Sequence, residues 1–202
     1  MKTIVCYGDS NTWGELPGCV GRYSWQERWP GVLAAELGDK YRVIDEGLGG
    51  RTTCLDDPSC PDRNGARYLP VVLETHCPID LLIIMLGTND LKRCFNQTPA
   101  QIADGISKLI EIAQSFELAC EQILIVAPAR IVPKEYCEVA ENFIDGPTRS
   151  NELAECLKIT TSKMGCRFFD AGQVAISSPI DGVHLSIENH HRLAEALASL
   201  IR

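Results

Sequence analysis

Short runs of Val, Ile and Leu recur along the chain, and longer stretches with apolar residues at helical spacing separate them. Alternation of this kind is typical of βα units around a parallel sheet. The pattern predicts five strands, at residues 3–7, 41–45, 80–86, 122–127 and 167–170. The third run is continuously apolar from Leu81 to Leu86, as expected for a central strand that is covered on both faces. We therefore predict an α/β fold in which helices sandwich a five-stranded parallel sheet.

Four helices have recognisable ends. Residues 98–101, Thr-Pro-Ala-Gln, have the form of a capping box with proline at the first helical position, and apolar residues follow at helical spacing. The other helices are marked by Pro30 and Gly38, by Gly165, and by Ser186. Residues 14–29, 52–65 and 130–147 fit neither pattern, and loops of this length usually shape a functional site or a subunit contact. No repeat or linker interrupts the pattern, so we predict one domain over residues 1–202.

The charge of the chain narrows the classes of partner. Its 202 residues include 27 acidic and 19 basic side chains, for a net charge of -8, and no cluster of Lys and Arg is longer than a dipeptide. Binding to nucleic acid or to an anionic membrane surface is therefore not expected. No apolar run approaches the ~20 residues of a spanning helix, and the first residues hold too short a run for a signal peptide. We expect a cytoplasmic protein.

Ten cysteines are many for a chain of this length. Their spacing contains no Cys-x-x-Cys pair and no zinc-like pattern, so we predict neither a metal site nor a cofactor. We expect most of them to be small buried apolar residues that are kept reduced.

Polar blocks follow the predicted strands, and in open α/β sheets ligands bind beyond the carboxyl ends of the strands. The blocks are Gly8-Asp9-Ser10-Asn11, Gly47-Leu48-Gly49-Gly50, Gly87-Thr88-Asn89-Asp90 and Asp181-Gly182-Val183-His184. Together they supply the hydroxyl, imidazole, carboxylate, glycine N–H and amide that acyl transfer through an oxyanion requires. Taken singly, each block has a structural alternative as a turn, a helix cap or a surface histidine. Their conjunction at one sheet edge favours a hydrolytic site.

In order and spacing the blocks resemble the SGNH hydrolases, also called GDSL-type esterases. The resemblance runs from residue 6 to the last helix, and residues 9–14, 46–53 and 84–90 are similar to the bacterial arylesterase and acyltransferase branch. It implies a flavodoxin-like three-layer α/β/α fold, a small-molecule ester substrate and a homo-oligomer. It also implies that alcohols compete with water for the acyl group. Asn11 departs from the pattern, because many members carry leucine there, and we expect its amide either to alter the pocket floor or to cap a helix.

The chemistry and the resemblance together assign roles to three side chains. Ser10 is the expected nucleophile, and His184 is the base that takes its proton and returns it to the leaving group. Asp181 is expected to orient His184, which requires a tight turn that Gly182 permits.

The oxyanion of the tetrahedral intermediate has three expected donors, the N–H groups of Ser10 and Gly50 and the side-chain amide of Asn89. Gly50 is preferred because it precedes a polar residue and a threonine, as the family glycine does, but Gly49 stays open as the donor.

Other residues have weaker expectations. Trp13, Cys54 and Cys94 are candidates for the substrate pocket, with packing as an alternative for each. His190 and His191 are expected on a solvated face of the last helix. Asp9 and Asp90 are expected to hold loops through hydrogen bonds.

Rival functions stay open at this point. An Asp-x-Asn motif after an apolar strand also resembles the aspartate-nucleophile phosphatases, but no Mg²⁺ site follows in convincing form. A non-catalytic flavodoxin-like ligand-binding module would need neither Asp181 nor His184. Within the family, carbohydrate O-acetyl esterase, thioesterase and lysophospholipase activities are alternatives to hydrolysis of esters of small or aryl alcohols.

Overall fold

A parallel sheet forms the centre of the computed structural model, which describes residues 1–132, 142–143 and 145–202. The strands are β1 (Lys2–Gly8), β2 (Tyr41–Gly47), β3 (Leu81–Met85), β4 (Ile123–Ala127) and β5 (Arg167–Asp170). They pair in parallel in the order β2-β1-β3-β4-β5, which is a flavodoxin-like order. The predicted strands are confirmed, with ends that differ by at most two residues.

Helices connect the strands. They are α1 (Ser10–Trp13), α2 (Trp29–Leu37), α3 (Gly65–His76), α4 (Pro99–Ser115), α5 (Gly146–Lys163) and α6 (Ile187–Ile201). Short 3₁₀ turns occur at Gly38–Lys40, Asn89–Leu91, Arg93–Phe95, Cys120–Gln122 and Ala171–Gln173. The capping box of α4 is present between Thr98 and Gln101, and the Ser186 side chain caps α6. The four helices predicted from their ends or caps did not include α3, which has Pro70 in its interior.

The two faces of the sheet carry separate cores. On β1, Val5 and Tyr7 pack with α3, α4 and α5, whereas Ile4 and Cys6 pack with α2 and α6. This alternation follows from the strand geometry, in which successive side chains point to opposite faces. Every residue of β3 is buried, as predicted for a central strand. The three-layer α/β/α architecture is confirmed.

The register of the sheet aligns the carboxyl ends of three adjacent strands, β2, β1 and β3. Gly8 at the end of β1 pairs with Gly47 at the end of β2 and with Met85 at the end of β3. The chain segments that follow these residues therefore leave the sheet at the same edge. They carry Ser10, Gly50 and Asn89, so the register brings the predicted functional segments together.

The cysteines differ from expectation. Of the nine that the structure describes, all are free and Cys6 alone is buried. Three are exposed and the other five are half-buried, so the prediction that most are buried is wrong. Cys137 lies outside the described residues, as does most of the irregular segment at 130–147. No helix in the described part of the chain is long and apolar enough to cross a membrane.

Candidate active site

Ser10 is the first residue of α1 and lies two residues after Gly8, the last residue of β1. The Asp9 side chain caps this short helix by accepting a hydrogen bond from the Asn11 N–H at 3.0 Å. Gly14 ends the helix in the left-handed conformation, and its N–H donates to the Ser10 carbonyl. This tight turn fixes Ser10 at the sheet edge, where it is 6% exposed.

His184 faces Ser10 from the loop between β5 and α6. Its Nε2 lies 3.0 Å from the Ser10 Oγ, and its Nδ1 lies 2.7 Å from the Asp181 Oδ2. Gly182 has a φ of 79°, which lets the chain turn so that Asp181 reaches a histidine three residues later. The structure thus joins a hydroxyl, an imidazole and a carboxylate in one chain of hydrogen bonds.

Asp181 is fully buried, and N–H groups satisfy its carboxylate. The N–H groups of Val183 and His184 donate to Oδ1 at 2.9 and 3.0 Å, and that of Gly18 donates to Oδ2 at 3.0 Å. Burial alone would raise the pKa of Asp181, but the hydrogen bonds from the His184 ring and from the N–H groups of Val183 and His184 lower it to about 2. The ionised carboxylate keeps the proton of the ring on Nδ1, which leaves Nε2 to accept from Ser10.

The basicity of His184 follows from its neighbours. Burial alone would lower its pKa, but the hydrogen bond to Asp181 and the charges of Glu15, Asp181 and Asp9 outweigh burial and raise the pKa above its ordinary value. A higher pKa makes the imidazole a stronger base for taking a proton from a hydroxyl.

The loop after β2 lies beside this chain of groups. Its Leu48 N–H donates to the Gly8 carbonyl at 3.1 Å, two residues before Ser10. The Asn89 Nδ2 donates to the Arg51 carbonyl at 3.1 Å, so the turn after β3 is attached to the same loop. One of the two hydrogens of this amide is used in that bond, and the second has no acceptor among the residues that the structure describes, so it can donate to a ligand.

The backbone N–H groups at this edge that have no hydrogen-bond partner within the described ranges include those of Ser10, Gly49 and Gly50. Gly50 adopts a φ of 79°, a conformation that glycine takes without strain. Unpaired N–H groups next to a hydroxyl are able to stabilise a developing negative charge on oxygen. Both Gly49 and Gly50 meet this condition, so the choice between them stays a prediction.

Arg51 holds this loop against the sheet. Its guanidinium stacks over the Tyr7 ring at 4.1 Å from the centroid and donates to the Gly8 carbonyl at 2.8 Å. It also donates to the Glu46 carbonyl of β2. One buried arginine therefore links the ends of β1 and β2 to the loop that carries Gly50.

Asp9 and Asp90 hold loops, as expected from the sequence. Asp90 is fully buried and accepts from both the N–H and the Oγ1 of Thr53, at 3.0 and 2.6 Å. Asp9 accepts from the Asn11 N–H through one oxygen, while its other oxygen has no partner in the described part of the chain. Burial raises the pKa of each of these two carboxyls to about 6.

The expected position of His190 is wrong. It is fully buried rather than solvated, since it lies where α6 packs on the start of α2. There its Nδ1 accepts a hydrogen bond from the Trp29 N–H at 3.3 Å. The Tyr23 ring packs on it edge-on at 5.4 Å. Burial, together with the positive charge of neighbouring groups, lowers the pKa of His190 to about 3. The ring is therefore neutral and is part of the packed interior. His191, the next residue, is half-exposed.

Within the described residues, none of the three pocket candidates forms a hydrogen bond to Ser10, His184 or Asp181. Trp13 is half-buried with the guanidinium of Arg22 over its ring at 4.9 Å. The sulfur of Cys54 lies 3.2 Å from the position that a Cβ would take at Gly105 of α4, and Cys94 is exposed on a 3₁₀ turn. Neither cysteine forms a hydrogen bond to Ser10 or His184 in the described residues. Their roles in a pocket stay predictions.

Two residues near the hydrogen-bonded groups make contacts that the sequence analysis did not predict. The Glu15 Oε2 lies 3.7 Å from the His184 Nε2. The Asn11 side chain bonds to the backbone on both sides of His184. Among the described residues, no group of three or more His, Cys, Asp or Glu side chains is placed to hold a metal ion.

A serine, histidine and aspartate joined by hydrogen bonds at the carboxyl edge of a flavodoxin-like sheet are the arrangement of a serine hydrolase. The model of the GDSL-like lipase/acylhydrolase family matches residues 6–192, and the chain belongs to that family.

Solved structures give the same assignment. An aryl esterase of M. smegmatis is 40% identical, with a TM-score of 0.95 over 100% of this chain and 99% of that one. Est24, a carbohydrate acetylesterase from Sinorhizobium meliloti, is 39% identical, with a TM-score of 0.93 over 100% and 98%. A protein of the lipolytic G-D-S-L family from Veillonella parvula, at 17% identity and a TM-score of 0.71 over the full length of both chains, shares the fold. No curated protein sequence matches the chain.

The resemblance to the arylesterase branch of the SGNH hydrolases is therefore confirmed. The protein is a carboxylic ester hydrolase.

Asn11, the departure from the family pattern, ties α1 to the loop that carries His184. Its Nδ2 donates to the Val183 carbonyl at 3.2 Å, and its Oδ1 accepts from the Leu185 N–H at 2.9 Å. Because these partners flank His184 on either side, the amide sets the distance between the backbones of Ser10 and His184. Leucine at this position would supply neither bond.

We expect the Asn11→Leu substitution to lower kcat by roughly 10- to 100-fold, because a small displacement of a reacting group is costly to the rate. The measurement is kcat and KM for a simple acetate ester, with KM changing by less than kcat. Asn189→Leu is the matched control, since Asn189 is a buried amide that binds the Ile176 N–H in the same loop without flanking His184. A kcat for Asn11→Leu within twofold of the parent would contradict the role assigned to this amide.

Proposed function

We propose that the protein is a serine esterase in which Ser10 forms an acyl-enzyme intermediate. The observation that carries the proposal is the hydrogen-bonded chain from the Ser10 Oγ through the His184 ring to Asp181, with distances of 3.0 and 2.7 Å. A serine hydroxyl is a weak nucleophile at its own pKa and needs an adjacent base. A non-catalytic binding module has no need of a base that is held in this way.

In the first half of the reaction, the Ser10 Oγ attacks the carbonyl carbon of the ester while the His184 Nε2 takes its proton. The carbonyl oxygen becomes an oxyanion, which the N–H groups of Ser10 and Gly50 and the amide of Asn89 stabilise. Asp181 stabilises the imidazolium that forms. When the intermediate collapses, the bond to the alcohol oxygen breaks, His184 gives that oxygen the proton, and the acyl group stays on Ser10.

In the second half, His184 takes a proton from water, and the water oxygen attacks the acyl-enzyme. When this second intermediate collapses, the bond between the acyl carbon and the Ser10 Oγ breaks, His184 returns the proton to that oxygen, and the carboxylic acid is released. An alcohol in place of water gives an ester instead of the acid, which is acyl transfer. We include this reaction in the proposal, because the resemblance to the acyltransferase branch supports it.

The substrates we propose are esters of small or aryl alcohols with a short acyl group. Ser10, Asn89 and His184 are 6%, 5% and 7% exposed, so the reacting groups lie in a confined site. The M. smegmatis relative is an aryl esterase. The S. meliloti relative is a carbohydrate acetylesterase, and it supports sugar acetates as the second candidate class.

We also propose a cytoplasmic homo-oligomer. The nine free cysteines of the described residues suit a reducing compartment. Val20 is fully exposed, and Ile176 and Ile180 are more than half exposed. Apolar side chains exposed in this way on loops near the site suit a contact between subunits.

The direct test of the function is a panel of p-nitrophenyl esters of increasing chain length, sugar acetates and acyl thioesters. We expect the parent to hydrolyse the short-chain esters and the Ser10→Ala variant to lose this activity by a factor of at least ~10³. Ser199→Ala is the matched control, because Ser199 is exposed on α6 and bonds to the Glu195 carbonyl. Activity that survives in Ser10→Ala would remove Ser10 as the nucleophile, and an inactive parent would favour a binding module.

The oxyanion assignment has its own test. We expect Asn89→Ala to lower kcat on a simple acetate ester by about 10²- to 10³-fold, the usual cost of removing one donor. The thermal midpoint is measured alongside, because the substitution also removes the bond to the Arg51 carbonyl. Turnover within a few-fold of the parent would show that Asn89 does not bind the oxyanion.

A further inference from the structure

Glu15 is held in a fixed position relative to Ser10. It follows Gly14, the residue that ends α1, and the N–H groups of Gly14 and Glu15 both donate to the Ser10 carbonyl, at 2.8 and 3.0 Å. Glu15 also forms an isolated antiparallel bridge with Arg22. The backbone of Glu15 is therefore tied to the nucleophile residue itself and to the loop that follows α1.

The carboxylate of Glu15 stands at the mouth of the site. Its Oε2 is 3.7 Å from the His184 Nε2, the same nitrogen that lies 3.0 Å from the Ser10 Oγ. A Cβ built on Gly49 would lie 3.4 Å from the same oxygen, so the carboxylate sits between His184 and the loop after β2. The side chain of Glu15 is 37% exposed, against 9% for His184.

This carboxylate has spare capacity to accept hydrogen bonds. His184 is its one ion-pair partner in the part of the chain that the structure describes, and no Lys or Arg there neutralises it. An ionised carboxylate has about four acceptor positions. A substrate group that reaches the mouth of the site therefore meets an unneutralised negative charge.

The alcohol side of the ester lies against this charge. In the proposed mechanism the His184 Nε2 returns its proton to the alcohol oxygen, so this oxygen must come within hydrogen-bond reach of that nitrogen. Glu15 approaches the same nitrogen from the open side. A hydroxyl on the carbon adjacent to the one that bears the ester oxygen is then within reach of the Glu15 carboxylate, whereas an anionic group there would be repelled.

We propose that Glu15 is the specificity-determining residue of the alcohol side, and that it selects esters of polyhydroxylated alcohols, in which a hydroxyl lies on the carbon adjacent to the one that bears the ester oxygen. The inference rests on the proposed function, since it needs His184 as the group that protonates the alcohol. Glu15 also acts on His184 electrostatically, but that effect is common to all substrates. When the kcat/KM values of two substrates are measured on the same variant, their ratio cancels the common effect and reports specificity alone.

Two pairs of probes of matched shape test the inference. 2-Hydroxyethyl acetate and propyl acetate differ in a hydroxyl against a methyl group, and acetylcholine and 3,3-dimethylbutyl acetate differ in a positive charge. In the parent we expect the hydroxyl and the cationic probe to have the higher kcat/KM of their pairs. For each pair, the specificity ratio is the kcat/KM of the hydroxyl or cationic probe divided by that of its partner. In Glu15→Leu both specificity ratios should fall by about tenfold. This factor is equivalent to ~1.4 kcal/mol and is typical of a partly exposed charge-assisted hydrogen bond.

Glu15→Gln separates charge from hydrogen bonding. It should lower the ratio of the cationic pair as strongly as Glu15→Leu does and the ratio of the hydroxyl pair less, because the amide oxygen still accepts a hydrogen bond. Glu74→Gln is the matched control, since Glu74 is exposed on α3 and the substitution changes the net charge equally. Both ratios should stay at the parental values in this control.

Ratios that do not change in the Glu15 variants, with hydrolysis still abolished by Ser10→Ala, would overturn the role of Glu15 and leave the proposed function standing. A parent that hydrolyses none of the four acetates, or hydrolysis that survives Ser10→Ala, would overturn the proposed function and this inference with it.

Discussion

A buried negative charge on Asp181 determines how the segments around Ser10 assemble. A carboxylate removed from water is destabilised by several kcal/mol unless donors replace its hydration. Four N–H groups do so here, those of the His184 ring, of the backbone at Val183 and His184, and of Gly18. Because these donors come from two separate segments, one carboxylate both orients the imidazole and ties the loop after α1 to the loop before α6.

The opposite side of the site depends on the sheet. The aligned ends of β1, β2 and β3 give the loops after them a common origin, and Arg51 links the first two of these ends through carbonyls of Gly8 and Glu46. Asn89 then attaches the turn after β3 to the same loop. Unpaired N–H groups are thereby held beside the serine by backbone and buried side chains, a preorganised arrangement that suits the stabilisation of an oxyanion.

The sequence predicted the features that depend on strong local patterns. Continuous apolar runs such as Leu81 to Leu86 predict buried strands, and polar residues that follow such runs share an edge, so the Ser10, Asn89 and His184 segments could be placed together. Burial that depends on tertiary packing could not be predicted. His190 has polar neighbours in the chain, but it is covered because the start of α2 packs on α6.

Contacts between residues far apart in the sequence also could not be predicted from the pattern of apolar and polar residues. The partners of Asn11 are about 170 residues away, and its amide was expected to change the pocket floor or to cap a helix rather than to bond on both sides of His184. Glu15 reads as an ordinary polar residue after a helix, and its approach to His184 depends on how the turn at Gly14 directs the chain. Asn11 is a position where the sequence departs from the family pattern, and Glu15 belongs to no recognised motif. Properties that distinguish this protein from its relatives are to be sought at such positions.

The central claim is that the Ser10 hydroxyl is made nucleophilic by His184. The most direct measurement is covalent labelling with diethyl p-nitrophenyl phosphate across a range of pH, followed by peptide mass mapping. The account predicts a single diethylphosphoryl group per chain, on the peptide that contains Ser10, and a labelling rate that rises with pH as His184 loses its proton. Because the pKa of His184 is raised, this rise should be centred above the ordinary pKa of a histidine. Labelling of a different residue, or a rate at Ser10 that His184→Ala leaves unchanged, would contradict the account.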